Sequence, residues 1–124
     1  MPREAFLLIF HGSAKQQAKI VSDKLIASLA TKLTKPVRCC YLREGFPTLP
    51  VALREMAEAG IESIKCLPLL LLPGSHSLED IPKAIKEFEE TYKSVKVIQM
   101  CCLAENDFFA DFLVKALNID ESTQ

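Results

Sequence analysis

The feature that most constrains this chain is the run Cys66-Leu67-Pro68-Leu69-Leu70-Leu71-Leu72-Pro73, which carries no charge and stops at Gly74, just before His76. It falls far short of the roughly 20 apolar residues a membrane helix needs. A short uncharged run closed by a glycine-containing turn is the pattern of a strand buried on both faces. That burial is found in parallel sheets covered by helices. The start of the chain repeats the arrangement, with Ala5-Phe6-Leu7-Leu8-Ile9-Phe10 leading into His11-Gly12-Ser13. The two histidines of the protein therefore both fall just past the carboxyl ends of core strands. In open α/β sheets that rim is where ligands bind.

The rest of the chain supplies the helices such a sheet requires. Ser13-Ala14-Lys15-Gln16 fits a capping box, and Ala18, Val21 (or Ser22), Leu25, Leu29 and Leu33 recur at helical spacing until Pro36. Residues 37–42 read as a second strand, with Arg38 marking it as near an edge. Arg43-Glu44-Gly45-Phe46-Pro47 is a loop on the same rim as the histidines. Thr48 caps a second helix with Pro50 in its first turn, with Leu53, Met56 and Ala57 facing inward and Gly60 at its end. The third strand is expected over 61–72. Pro68 within it cannot donate to a ladder, which predicts a bulge or pairing on one side only.

Asp80 and Pro82 are expected to open a third helix, with Ile81, Ala84 (with Ile85), Phe88 and Tyr92 inward. A fourth strand is expected over 95–102. Asn106 or Asp107 caps a last helix whose Phe108, Phe109, Phe112, Leu113, Ala116 and Leu117 suit a core or an interface. The order βαβαβαβα predicts an α/β fold: a four-stranded parallel sheet with helices on both faces and right-handed crossovers. One domain over 1–119 and a polar tail over 120–124 complete the expectation.

Composition excludes several functions. At 124 residues, 49% apolar and 25% charged with a net charge of -1, the chain is an ordinary globular domain without a basic stripe for nucleic acid. His11 interrupts the first apolar run too early for a signal sequence, so a cytoplasmic protein with no membrane segment is expected. Five cysteines, with adjacent pairs at Cys39-Cys40 and Cys101-Cys102 and no CxxC, read as small buried hydrophobes in a reducing compartment. A soft-metal role for Cys101 or Cys102 is the less favoured reading.

Imidazole suits first-row divalent metals and accepts protons near neutral pH. If the first and third strands are neighbours, their carboxyl ends lie about 5 Å apart and the two imidazoles converge on one cleft. By pattern alone, a metal or proton-transfer site and a pair of incidental turn residues both remain open. Gly12-Ser13 and Gly74-Ser75 can present backbone N–H groups to an anion. Neither matches a Walker loop or a dinucleotide fingerprint, so no nucleotide is expected. Glu44 shares the rim and is the candidate third metal ligand, the alternative being a solvated loop charge.

With those residues in view, the LLIFHGS end of the first strand and PLLLLPGSHSLEDIP after the third resemble the short, single-domain CbiX-type chelatases of tetrapyrrole biosynthesis. The resemblance covers nearly the whole chain. It implies insertion of Co²⁺ into sirohydrochlorin, with Ni²⁺ or Fe²⁺ as alternatives, and metal as substrate rather than resident cofactor. It implies that His11 and His76 bind the metal and take part in catalysis, and that the molecule is a homodimer with the cleft between subunits. Sirohydrochlorin carries many carboxylates, for which Gly12, Ser13, Lys15, Gly74, Ser75 and Ser77 are the expected docking groups. Three departures stand out: Ala14-Lys15-Gln16-Gln17 replaces an Arg-Asp-Pro-like stretch, Arg43 stands where relatives commonly carry glutamate with Glu44 one place along, and Ser75 replaces a frequent glycine. A noncatalytic metal or tetrapyrrole carrier is the rival reading.

Overall fold

A computed structural model describes residues 3–119; the tail expected over 120–124 lies outside the described residues. The elements alternate as the pattern predicts: β1 (Glu4–Phe10), α1 (Gln16–Lys32), β2 (Val37–Tyr41), α2 (Leu49–Glu58), β3 (Ser63–Pro68), α3 (Ile81–Thr91), β4 (Lys96–Gln99) and α4 (Asp107–Leu117). A single π-helical turn, His76–Asp80, runs directly into α3, and a 3-10 turn, Leu103–Glu105, precedes α4. The four strands are parallel in the order β2-β1-β3-β4. The strands that precede the two histidines are thus the central neighbours, and Arg38 lies exposed on an edge strand.

The two faces of the sheet differ. Ala5, Leu7 and Ile9 of β1, Cys40 of β2, and Ile64 and Cys66 of β3 share one face, by alternation and by register. They pack against Leu49, Ala52, Leu53 and Met56 of α2 and Ile81, Ile85 and Phe88 of α3 in one buried cluster. The opposite face carries Phe6, Leu8, Phe10, Tyr41, Lys65 and Leu67. It is covered more thinly by α1 and α4. Only Ser22 is buried in α1, where Val21 is 67% exposed, and no residue of α4 is buried. The inward stripe expected for α1 is therefore largely on the surface.

Local chemistry explains the element boundaries. Thr48 Oγ1 accepts from the Val51 N–H and Asn106 Oδ1 from the Phe108 N–H, as their cap positions require. The capping box expected at Ser13 does not form. α1 begins at Gln16 with no side-chain cap, because Ser13 Oγ accepts from the Lys15 N–H in a tight turn of its own. The third strand is shorter than the 61–72 expected. Pro68 closes it, paired to Ile9 of β1 but lying beyond the last β4 pair, Cys66 with Gln99. In β3 the Cys66 carbonyl faces β4, accepting from Met100, while the Leu69 N–H turns to Ile9. The N–H that proline lacks would thus face β4 where its ladder has already ended, as one-sided pairing predicts. The fourth strand likewise covers only part of 95–102.

Candidate functional site

The His11 turn is held by backbone contacts. The His11 carbonyl accepts from the Arg43 N–H at 2.9 Å, which ties the end of β1 to the loop after β2. Gly12 adopts φ +105, and a Cβ there would lie 2.4 Å from the Glu44 carbonyl oxygen. Only glycine permits both the backbone angle and this close approach. His11 Nδ1 sits 3.3 Å from the Gly12 carbonyl oxygen.

His76 is positioned differently, as the first residue of the π-helical turn. Its Nδ1 lies 2.7 Å from Asp80 Oδ2. Ser77 beside it is buried. Its hydroxyl accepts from the Gly74 N–H at 3.0 Å and donates to the Gly74 carbonyl, while the Ser77 carbonyl accepts from the Gln99 side chain at 2.8 Å. These bonds anchor the loop that carries His76 to the end of β4. Because the π-turn continues straight into α3, that helix has no separate capped start, and the Asp80 side chain makes no cap hydrogen bond. The expectation that Asp80 opens the helix as a cap is corrected accordingly.

The two imidazole rings meet edge-on, with centroids 5.0 Å apart and planes at 72°. Metal–imidazole bonds of about 2.1 Å, plus the roughly 1.1 Å from ring nitrogen to ring centre, place two rings sharing one near-tetrahedral ion about 5 Å apart. The observed spacing is compatible with that geometry. Among the described residues, no group of three His, Cys, Asp or Glu side chains assembles that could hold a metal. Glu44 is exposed, lines the cavity beside His11, and does not join the histidines in such a group. All five cysteines are free; Cys102 is buried and Cys101 exposed, and neither joins the histidines in such a group.

A pocket of about 400 Å³ opens beside His11, between α1 and the loop after β2. Phe10 and Tyr41, stacked at 5.7 Å, and Phe46, 73% exposed, give it apolar walls. Tyr41 hydroxyl and Ser22 Oγ are 3.2 Å apart, fixing the ring against α1. Ser13 lines the same pocket, Lys15 is exposed at the start of α1, and Gly74 and Ser75 are exposed before His76. The sequence reading missed the aromatic wall, since Phe10 and Tyr41 read as strand residues. It also missed the Asp80 contact, for which the His-x-x-x-Asp spacing was the available signal.

A parallel α/β fold with paired imidazoles at the carboxyl edge of its two central strands defines the class of protein. The chain belongs to the CbiX family, which it matches over residues 5–119. It is 29% identical over 118 residues to the sirohydrochlorin cobaltochelatase of Saccharolobus islandicus (strain Y.G.57.14 / Yellowstone #1), covering 90% of this chain and 91% of that protein. To the sirohydrochlorin ferrochelatase of Priestia megaterium it is 28% identical over 116 residues, covering 93% of this chain and 44% of that protein. Several curated relatives are longer, and the chain spans between 37 and 60% of their length. A CbiX protein from Marinobacter aquaeolei VT8 shares the fold with a TM-score of 0.79 at 19% identity, over 92% of this chain and 93% of that one. Among the described residues, no helix is long and apolar enough to cross a membrane.

Proposed function

We propose that this protein inserts a divalent metal, Co²⁺, into sirohydrochlorin or a closely related tetrapyrrole, with His11 and His76 as metal ligands and proton acceptors. The observation that carries this reading is the convergence of the chain's two histidines, 5.0 Å apart, on the ligand-binding rim of the sheet. Metallation removes two pyrrole protons and passes a partly desolvated ion to the ring nitrogens. Two imidazoles hold the ion while leaving most of its coordination positions to water and substrate, and once it has passed to the ring nitrogens their freed lone pairs accept the protons released. No nucleotide or covalent intermediate is needed. Cobalt is favoured because the Saccharolobus relative, matched over nearly its whole length, is named a cobaltochelatase, while the Priestia ferrochelatase is more than twice as long as the part matched.

The apolar wall of Phe10, Tyr41 and Phe46 suits the flat face of a macrocycle. Ser13, Lys15, Ser75 and the N–H group of Gly12 stand at the rim, where peripheral carboxylates dock, while the Gly74 N–H is already held by the Ser77 hydroxyl. Ser77 acts within the loop, and Glu44 forms part of the pocket wall. A second copy of the chain closes the cleft, covering the sheet face that α1 and α4 leave thin.

Anaerobic absorbance of sirohydrochlorin with Co²⁺, with and without the protein, tests this. Acceleration by the wild type that His11→Ala and His76→Ala both remove is the expected result. A tetrapyrrole spectrum shifted by binding, without acceleration, would make the protein a carrier. No effect of any kind would overturn the reading.

A further inference from the structure

His76 and Asp80 are four residues apart within one π-helical turn, and their side chains meet at 2.7 Å. A carboxylate has no proton to give, so a hydrogen bond of this length requires the proton to sit on His76 Nδ1. The neutral ring is then the Nδ1–H tautomer, with its lone pair on Nε2. Free imidazole side chains in water favour the opposite tautomer. His11 shows the same bias more weakly, its Nδ1 facing the Gly12 carbonyl, another pure acceptor, at 3.3 Å.

Stability does not account for the pair. The Asp80 side chain is 52% exposed, and an ion pair open to solvent contributes little to stability. π-turns are rare and concentrate at functional sites. Carboxylates behind a ligating histidine fix its tautomer and raise its basicity, and their loss typically weakens metal affinity about 10–100-fold.

We propose that Asp80 is the positioning residue of the site: by holding the proton on His76 Nδ1, it presents the Nε2 lone pair to the incoming ion, and that lone pair is free to take a pyrrole proton only once the ion has passed to the ring nitrogens. This rests on the chelatase reading above, but its structural half can be measured without turnover. Imidazole ¹⁵N–¹H correlation spectra of labelled protein, at alkaline pH and without metal, should show His76 as Nδ1–H in the wild type. Asp80→Ala should return it toward Nε2–H. Co²⁺ alone, titrated by its visible absorbance, should bind Asp80→Ala about 10–100-fold more weakly than wild type. Asp80→Glu, which keeps the acceptor, should recover part of both signals. Backbone amide spectra establish that each variant is folded.

A wild-type His76 in the Nε2–H form, or a tautomer unchanged in Asp80→Ala, would overturn the proposal. So would unchanged Co²⁺ affinity in Asp80→Ala. If tautomer and Co²⁺ affinity both shift while the wild type fails to accelerate metallation, the positioning role stands and the chelatase reading falls.

Discussion

The Glu44 carbonyl oxygen occupies the space that a side chain on Gly12 would need, since a Cβ there would come within 2.4 Å of it. The contact is backbone against backbone, so neither partner can rotate away. It locks the turn carrying His11 onto the loop after β2, beside the bond from the Arg43 N–H to the His11 carbonyl. Gly12→Ala should cost about 1–3 kcal/mol through its positive φ alone, and more through the clash. Urea unfolding measures the loss. Metallation by the surviving folded fraction should also fall, because relief of the clash must shift the turn that sets His11 against His76.

His11→Ala and His76→Ala should each slow metallation about 10²–10⁴-fold, the usual range for a group that transfers a proton. If the two rings act on one ion, as proposed, the double variant should be scarcely slower than either single one. His11 is exposed and His76 half-buried, so melting temperatures should barely change. Multiplicative losses in the double variant would mean that the two histidines work independently.

Much of this arrangement was legible in the residues. Two uncharged runs ending in glycine turns imply buried parallel strands, and βαβ connectivity places their carboxyl ends together. The β1–β3 adjacency was only a condition in the residues, since the same connectivity also permits β2 between them; the observed order β2-β1-β3-β4 meets it and brings His11 and His76 together. What could not be read depended on contacts between segments distant in sequence. Ser13 and Asp80 look like helix caps, because capping is a local pattern. Their actual partners, the Lys15 N–H and the His76 ring, were set by where α1 begins and by a π-turn that no periodicity announces. The leucines after Pro68 look like more strand, yet Leu70 and Leu71 accept from the 3-10 turn before α4, since the neighbouring ladders have ended. Periodicity assigned α1 an inward stripe, but periodicity alone does not show what lies opposite.

Burial gives the core thiols an alkaline signature. Desolvation pushes the Cys66 thiol up to about 12 and raises Cys40 as well, from an ordinary value of 9.0. Above about pH 9 the unfolded chain loses these protons while the native one keeps them, so stability is full below that pH and falls as pH rises toward 12. Linkage sets the slope at about 1.4 kcal/mol per pH unit for each thiol. Urea unfolding at pH 8 and pH 10 should show the decline, and Cys66→Ala should flatten it by about half of the two-thiol slope. An identical slope in the variant would show that other groups cause it. In the same native protein, iodoacetamide should label exposed Cys101 and spare Cys40 and Cys66, as peptide mass mapping would reveal.

The thinly covered sheet face predicts the oligomeric state. Phe108, Phe112 and Leu117 of α4 are 78%, 59% and 82% exposed, and Ile20 and Val21 of α1 are exposed on the same side of the sheet. At about 25 cal/mol per Å² of apolar surface, leaving such a patch in water is unfavourable, and monomeric proteins rarely do so. A second copy packed on α1 and α4 would cover it and extend the pocket wall formed by Phe10, Tyr41 and Phe46. Analytical ultracentrifugation at micromolar concentration should therefore show a dimer. Phe108→Asp combined with Leu117→Asp should give a monomer with an unchanged far-ultraviolet spectrum, because neither side chain belongs to the buried cluster. Its metallation rate separates the two roles of the contact. A folded monomer as active as the wild type would mean the dimer only shields apolar surface, whereas activity that falls with the dimer fraction would mean both subunits form the cleft. A wild type that sediments as a monomer would rule out the second copy.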